Sequence, residues 1–516
     1  MNRAPWPRRG GPGTWSALAL AVLAGLAQAA SIASPLNGAP LWWLQVLSLA
    51  GLVALLEQAP SARAAGLRAW VFATAWLCGT FWWLYISMYT YGGLPAPLAA
   101  LAVLGLAAFL STYYGVAGAV YRALPARGLA RRALAFGGLW LVAELLRSSW
   151  FTGFPWGAGG YAHVDGAAPW LAPLVGVYGL GALAAGLSAA IACALLARRL
   201  VPAAVAVLAL CLGSYWPQGE RAAASTPPLS VALLQGNIPQ DEKFQAGSGV
   251  PTALAWYREQ MESATESLIV APETAIPVLP QELPPGYADE LGKRFASGQQ
   301  AALFGIPLGN SSQGYSNATL GLKPGQASTY VYDKHHLVPF GEFVPLMFHW
   351  FTEMMDIPLG DFRRGDVGQP SFVWQGERLA PNICYEDLFG DELARRFTDP
   401  AQAPTIFVNV SNIGWFGNTI AIDQHLNISR MRALEFRRPM VRATNTGATV
   451  VIDDGGRVTA SLEPFTRAVL HTQVQGRSDA PTPYARWAGR WGHAPLWVLG
   501  LAVAWLAGAW RVRRRS

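Results

Sequence analysis

Lysine is absent from the first two-fifths of this chain, and acidic residues nearly so. No lysine precedes Lys243, and Glu57, Glu144 and Asp165 are the only acids before Glu220. Across 516 residues, 52% are apolar and only 13% are charged. Ordinary soluble domains carry about 25% charged residues, so a wholly soluble protein is excluded. Residues 220–490, by contrast, have a normal globular composition. The net charge of +7 does not mark a nucleic-acid binder. The arginines sit in short gaps between apolar runs, which is the positive-inside pattern of a membrane protein.

Cysteine is scarce as well. Of the four, Cys78, Cys193 and Cys211 lie in apolar runs, where a thiol serves as a small packing residue. Cys384 stands alone in the globular segment, which excludes an intramolecular disulfide there. It lies in Pro381-Asn382-Ile383-Cys384-Tyr385-Glu386-Asp387, where an apolar stretch gives way to a helix-like one. A thiol at such a turn is expected to be exposed, close to backbone N–H groups that favour a thiolate.

What the chain does have is long apolar runs. A membrane span takes ~20 apolar residues. Candidates cover 14–34, 39–58, 69–90, 95–120, 133–150, 168–196, 200–216 and 494–511. Arginines cluster before the first run (Arg3, Arg8, Arg9), after the second (Arg63, Arg68) and after the fourth (Arg122, Arg127, Arg131, Arg132). They recur after the sixth (Arg198, Arg199) and the last (Arg511, Arg513, Arg514, Arg515). With eight spans every cluster falls on one face. That reading puts both termini in the cytoplasm and residues 217–493 on the opposite side. Ala27-Gln28-Ala29 after the first run also fits a signal-peptide cleavage site, which would remove that run without changing the orientation.

Residues 148–167 are rich in Trp, Phe, Gly and Pro and follow Glu144 and Arg147, which are spaced to pair on a helix. The segment reads as an interfacial or re-entrant loop, either a membrane anchor or a wall of a lipid-access site. Residues 218–229 read as a linker. Strands at 230–235, 268–271, 301–306, 315–322, 328–333, 379–383, 405–410 and 440–452 then alternate with helices at 251–266, 287–298, 391–398 and 421–437. A turn at Asp453-Asp454-Gly455-Gly456 closes an α/β domain. The organisation is a membrane domain (1–217), the linker, a catalytic domain (230–480), and a last span with a basic tail (481–516).

Three motifs stand at predicted strand ends, where α/β sheets gather their catalytic groups. They are Ile269-Val270-Ala271-Pro272-Glu273-Thr274, Tyr332-Asp333-Lys334-His335-His336 and Asn382-Ile383-Cys384-Tyr385-Glu386. A cysteine nucleophile needs a base and a cation to hold the developing oxyanion. Glu273, Lys334 and Cys384 supply these roles. His335 and His336 lack evident further ligands for a metal and read as loop polar residues.

These motifs resemble those of the nitrilase, or carbon–nitrogen hydrolase, superfamily with its Glu-Lys-Cys triad. With the surrounding spans, nearly the whole chain resembles the bacterial apolipoprotein N-acyltransferase family. Gln235-Gly236-Asn237-Ile238-Pro239-Gln240, Val338-Pro339-Phe340-Gly341-Glu342-Phe343 and Asn409-Val410-Ser411-Asn412-Ile413-Gly414-Trp415-Phe416 carry the resemblance further. Phe244 departs from it, since the family pattern often places Trp there.

The resemblance implies an αββα nitrilase-like sandwich joined to a polytopic helical domain in the bacterial inner membrane, with the catalytic domain in the periplasm. It implies a ping-pong transfer of an sn-1 acyl chain from a phospholipid, phosphatidylethanolamine in the first instance, through a Cys384 thioester. The acceptor is the α-amine of a diacylated apolipoprotein. No metal or cofactor is implied, and nothing in the sequence calls for more than a monomer. Glu342 is implied to orient Lys334, while Tyr385 and Glu386 either serve activity or shape the turn. Asn237, Phe244, Asn412, Trp415, Phe343, Met347 and Trp156 are the substrate-binding candidates. The apolar stretch 340–360 is either a lid that dips into the bilayer or core packing. Arg430, Arg432, Arg437 and Arg438 either meet lipid phosphates or form a solvated face. The rival function is a membrane-tethered amidase that hydrolyses small amides.

Overall fold

The computed structural model describes residues 13–126, 128–213, 224, 226–326, 328–344 and 362–509. The chain divides into two compact units. One comprises Met1–Tyr85, Ala96–Gln218 and Trp491–Ser516, and the other Ile86–Pro95 and Gly219–Arg490.

In the first unit each apolar run is helical. The helices are Thr14–Ile32, Trp42–Glu57, Ala62–Phe81, Ala96–Ala123, Leu129–Ser149, Ala172–Leu196, Leu200–Gly213 and Ala494–Ala509. Small residues let them approach closely. A Cβ at Gly25, for example, would collide with the Phe72 carbonyl of the neighbouring helix. Among the described residues, 3 helices are long and apolar enough to cross a membrane, or up to 5 if each bent pair counts as one span. The eight-span expectation therefore exceeds what these helices establish singly. Trp42–Glu57 has 16 residues and Leu200–Gly213 has 14. Leu129–Ser149 is interrupted by Arg131, Arg132, Glu144 and Arg147.

Glu144 and Arg147 do pair, at 3.5 Å, and both are buried. Arg147 also donates to the carbonyls of Phe154 (2.9 Å) and Trp156 (2.7 Å), while Glu144 accepts from the Gly159 amide at 3.2 Å. The expected loop at 148–167 is thus largely folded inward. Trp156, Tyr161 and His163 are buried, and only its first turn exposes Trp150 and Phe151.

The second unit contains two six-stranded sheets. Strands β1 (Leu229–Gln235), β2 (Leu268–Val270), β3 (Ala301–Asn310), β4 (Gly314–Leu322) and β5 (Tyr330–Asp333) form the first sheet together with β12 (Ala468–Val474), in the order β12-β1-β2-β3-β4-β5. Strands β6 (Phe372–Trp374), β7 (Glu377–Ile383), β8 (Ile406–Ser411), β9 (Met440–Thr444), β10 (Val450–Ile452) and β11 (Val458–Ser461) form the second, in the order β11-β10-β9-β8-β7-β6.

Val231, Leu233, Val270 and Leu303 of the first sheet meet Leu379, Ile406, Val408 and Val441 of the second in one core. The alternate residues Ala232, Leu234 and Ile269 face Leu254, Tyr257, Leu291 and Phe295 on helices Gly249–Ser263 and Tyr287–Ser297. Phe407 on the outer face of β8 packs on Phe436 of helix Ala421–Phe436, with ring centroids 5.3 Å apart. This is the expected αββα layering. Central strands covered on both faces read as continuous apolar runs, which is why they were legible.

The structure corrects three sequence expectations here. The run 440–452 is two strands, because residues 445–449 leave the ladder. The domain does not close at the turn 453–456, since β11 and β12 follow and β12 returns to pair with β1. The arginines of helix Ala421–Phe436 do not form a lipid-facing surface. Arg432 and Arg438 are buried, Arg432 on Glu435 at 3.1 Å and Arg438 on the Pro404 carbonyl at 2.6 Å. Arg430 donates to the Gly456 carbonyl at 2.7 Å.

Candidate active site

Three strand ends bring the predicted triad together. Glu273 follows β2 on a tight turn whose next residue, Thr274, has φ 48°. Gly305 of β3 lies against this turn, where a Cβ would fall 2.6 Å from the Glu273 Cα. Only glycine allows so close an approach. Lys334 follows β5 directly, and its backbone N–H bonds the Asn317 carbonyl of β4 at 2.8 Å. Cys384 follows β7 with φ 52°, a left-handed conformation disfavoured by ~1–2 kcal/mol for a residue with a Cβ. Its carbonyl, turned back by that conformation, accepts from Asn409 at 3.3 Å and contacts His425 Nε2 at 3.2 Å.

The Lys334 ammonium is buried and donates to Glu273 at 3.2 Å and to Glu342 at 2.8 Å. Asn317 bridges the same carboxylates, its Nδ2 donating to Glu273 at 2.7 Å and Glu342 at 2.8 Å. The other Glu273 oxygen accepts from the Asn412 backbone N–H at 2.8 Å. Glu342 Oε2 accepts from the Val338 amide at 2.8 Å, which fixes the carboxylate that holds Lys334.

Burial opposes ionisation of Glu273, but Lys334 and Asn317 outweigh it and hold the carboxyl below its ordinary range. Burial likewise opposes the charge on Lys334, yet Glu273 and Glu342 raise its proton affinity above that of an ordinary lysine. The sulfur differs from the sequence expectation. Cys384 is half-buried rather than exposed. Burial, then the nearby Glu273 carboxylate, push the thiol up to about 12. At rest the proton is therefore on sulfur and Glu273 is ionised. A lysine ammonium has three N–H groups, so among the described residues Lys334 keeps one beyond its two carboxylate bonds.

The supporting candidates divide. Glu386 accepts from the amides of His335 (2.5 Å), His336 (3.2 Å) and Ile383 (2.6 Å), and from the Tyr332 hydroxyl (2.8 Å). One carboxylate thus shapes both the Lys334 turn and the Cys384 turn. Tyr385 is buried against Phe389 and His336. His336 itself bonds Glu392 at 3.0 Å.

Asn412 reaches the site through its backbone, while its side chain donates to Gln240 at 2.8 Å. Asn237 instead ties the end of β1 to the Phe465 carbonyl at 2.9 Å. Phe244 and Trp415 are exposed aromatics, with Trp415 edge-on to Tyr91 at 5.6 Å. Phe343 lies under the Arg364 guanidinium at 4.8 Å. Trp156 belongs to the other unit, where it packs on Trp83 at 4.8 Å. Met347 and most of the stretch 340–360 lie outside the described residues.

Sequence reasoning missed three contributors. Asn317 is a polar residue at a buried strand position, a signal open to detection. Lys243 is buried and donates to the Glu273 backbone carbonyl at 3.0 Å. Behind Cys384, Asp387 bonds His425 Nε2 at 2.9 Å and Arg442 bonds His425 Nδ1 at 2.7 Å. Because a guanidinium only donates, Nδ1 is bare and the His425 proton sits on Nε2.

Known proteins match both units. The family described as Apolipoprotein N-acyltransferase N-terminal domain matches residues 20–190. The family described as Carbon-nitrogen hydrolase matches residues 230–481. The apolipoprotein N-acyltransferase of Verminephrobacter eiseniae is 58% identical over 497 residues, covering 92% of each chain. That of Ralstonia nicotianae is 47% identical over 482 residues, covering 92% of this chain and 90% of its own. Among solved structures, Nit3 of Saccharomyces cerevisiae is 14% identical over 50% of this chain and 93% of its own, with a TM-score of 0.36.

Proposed function

We propose, for a chain that belongs to the apolipoprotein N-acyltransferase family, that Glu273, Lys334 and Cys384 carry acyl transfer from a phospholipid to a lipoprotein through a thioester. The protein is a bacterial membrane enzyme of lipoprotein N-acylation. The finer reading concerns how it acts and which way it faces.

In the first half-reaction the Cys384 sulfur attacks the sn-1 ester carbonyl and its proton passes to Glu273. The free N–H of Lys334 meets the oxygen on which negative charge develops. The C–O bond then breaks, and the Glu273 proton goes to the leaving glycerol oxygen. The enzyme retains a thioester and releases a lysophospholipid. In the second half-reaction the neutral α-amine of the diacylglyceryl-cysteine attacks that thioester. Glu273 takes a proton from nitrogen, the C–S bond breaks, and the proton returns to sulfur. Atoms and protons balance over the cycle, and no cofactor enters.

The observation that carries this reading is the convergence of a protonated thiol, an ionised carboxylate and a cation with one unused donor. The alternation of apolar runs and arginine clusters supports an eight-span, inner-membrane arrangement with both termini cytoplasmic and the catalytic unit periplasmic. Phosphatidylethanolamine is the proposed donor. A single chain supplies the whole triad, in keeping with a monomer.

The test is to incubate the full chain with phospholipid carrying an isotopic label in its sn-1 chain and a diacylated lipopeptide. Label in a new amide, with one lysophospholipid released per transfer, supports the reading. Free labelled fatty acid without amide, or ammonia from small amides, would sink it in favour of hydrolysis.

A further inference from the structure

The catalytic unit buries two lysines beside one glutamate, in opposite surroundings. Lys334 bonds two carboxylates, Glu273 and Glu342. Lys243 approaches Glu273 from its main-chain side. Among the described residues its ammonium has one hydrogen-bond acceptor, the Glu273 carbonyl at 3.0 Å. Both side chains are 1% exposed. A buried ammonium held by two carboxylates stays charged, whereas one held by a neutral carbonyl gives up its proton readily. Burial accordingly lowers Lys243 to about 7, with Glu273 and then Cys384 acting in the opposite direction. Among the described residues those are the titratable groups that act on it; Asp241 and Glu242 on its own segment are exposed. Pairs of like groups pushed apart by their surroundings mark a division of labour in a site.

We propose that Lys243 is a positioning residue for the Glu273–Cys384 couple: its amine ties down the turn that carries Glu273, and its charge sets how readily Glu273 accepts the thiol proton. The inference rests on Glu273 acting as the base and Cys384 as the nucleophile. Charged Lys243 stabilises the Glu273 carboxylate, the nearer influence, more than it stabilises a Cys384 thiolate. Proton transfer from sulfur to Glu273 is then disfavoured. Neutral Lys243 removes that hold while keeping an N–H on the Glu273 carbonyl. Acylation is therefore slow below the Lys243 titration and fast above it. Lys334, locked in its charged form by two carboxylates, keeps its oxyanion role on both sides.

The experiment follows acyl-enzyme formation by intact mass, using the full chain in detergent with phosphatidylethanolamine. Initial rates are taken from about pH 5 to about pH 9, bracketing an ordinary α-amine and the Lys243 titration. In the wild type the rate is expected to rise through neutral pH. Lys243→Gln keeps a donor to the Glu273 carbonyl without a titrating charge, so its rate should be flat through that range. Lys243→Met loses the donor as well and should be flat and ~3–10-fold slower than Lys243→Gln, the loss of one hydrogen bond.

A wild-type rate without an inflection near neutrality overturns the inference whatever the variants do. So does a Lys243→Gln profile that keeps the inflection, or a Lys243→Met rate equal to that of Lys243→Gln. Thermal midpoints of the variants separate misfolding from altered chemistry. If the wild type forms no adduct on Cys384 at any pH, the thioester reading itself fails. An adduct that forms with a flat profile removes only the role of Lys243.

Discussion

Each unit places a thiol beside a glutamate and a cation, buried in one and half-buried in the other. In the membrane unit the Cys193 sulfur lies 3.8 Å from Glu57, which Arg132 holds at 2.6 Å. In the catalytic unit Cys384 lies beside Glu273, which Lys334 holds at 3.2 Å. The residue types nearly coincide, but the backbones differ. Cys193 sits mid-helix in the stretch that follows the kink at Gly176 and is 1% exposed. Cys384 stands on a left-handed turn at the end of a strand and is half-buried. Both carboxylates share an oxygen, Glu57 between Arg132 and the Tyr121 hydroxyl at 2.6 Å and Glu273 between Lys334 and Asn317 at 2.7 Å, so the carboxylate's occupancy does not separate the two sets. A nucleophile needs a turn that presents its sulfur and a donor left free for the substrate, as well as the right neighbours.

The largest effect that tests this contrast is substitution of the two cysteines. Cys384→Ser should reduce acyl transfer to background, and Cys384→Ala should trap no acyl-enzyme. Cys193→Ser should leave transfer within ~3-fold, since it alters only a packing contact of small size. Loss of transfer in a well-folded Cys193→Ser protein would break the distinction.

The buried carboxylates provide the next test. Glu273→Gln removes the proposed base and should slow acyl-enzyme formation ~10²–10⁴-fold, with the thermal midpoint little changed. Glu144→Gln strips Arg147 of its buried partner and should cost ~3–5 kcal/mol of stability, while the rate per folded molecule is retained. A rate defect without a stability defect at Glu144 would place that residue in the chemistry instead.

Asn317→Ala removes donors to two carboxylates. The loss should be ~10–100-fold in rate, with Glu273 titrating nearer its ordinary value. In acid, Lys334 and Asn317 keep the Glu273 carboxyl below its usual range. The ion pair's contribution to stability is therefore complete above the ordinary glutamate pKa of ~4.3, declines as pH falls below it, and is gone once pH has passed through the lowered folded value. Unfolding monitored against pH should show the Glu273-dependent loss beginning as pH falls below ~4.3, where the unfolded chain takes up the proton, and ending at the lowered folded value; Glu273→Gln should abolish it. Phe244→Trp is expected to be the mildest change, within ~2-fold in rate, because the ring is exposed and an aromatic is kept.

Most of the catalytic sandwich was legible because its central strands are apolar on both faces and end in the motif residues. Glu273, Lys334 and Cys384 could be read together since each closes a strand. Strands β11 and β12 were not legible, as their half-exposed residues lack an apolar signature and β12 pairs with β1, more than two hundred residues earlier at the start of the unit. The burial of Arg432, Arg438 and Arg442 was equally hidden, because arginine on a helix or strand normally signals solvent. Lys243 escaped notice for the same reason, although it is the first lysine in the chain. Trp156 is the reverse case, a loop aromatic whose burial against Trp83 was not legible. An aromatic in a Gly- and Pro-rich loop looked like a substrate contact, and Arg147 instead draws that loop into the helices.

The most direct measurement of the central claim is peptide mass spectrometry of the wild-type chain after brief exposure to phospholipid alone. The account predicts one fatty-acyl mass on the peptide containing Cys384, none on the peptide containing Cys193, and discharge of the adduct when a diacylated lipopeptide with a free α-amine is added. An unmodified Cys384 peptide while amide product still accumulates would contradict it.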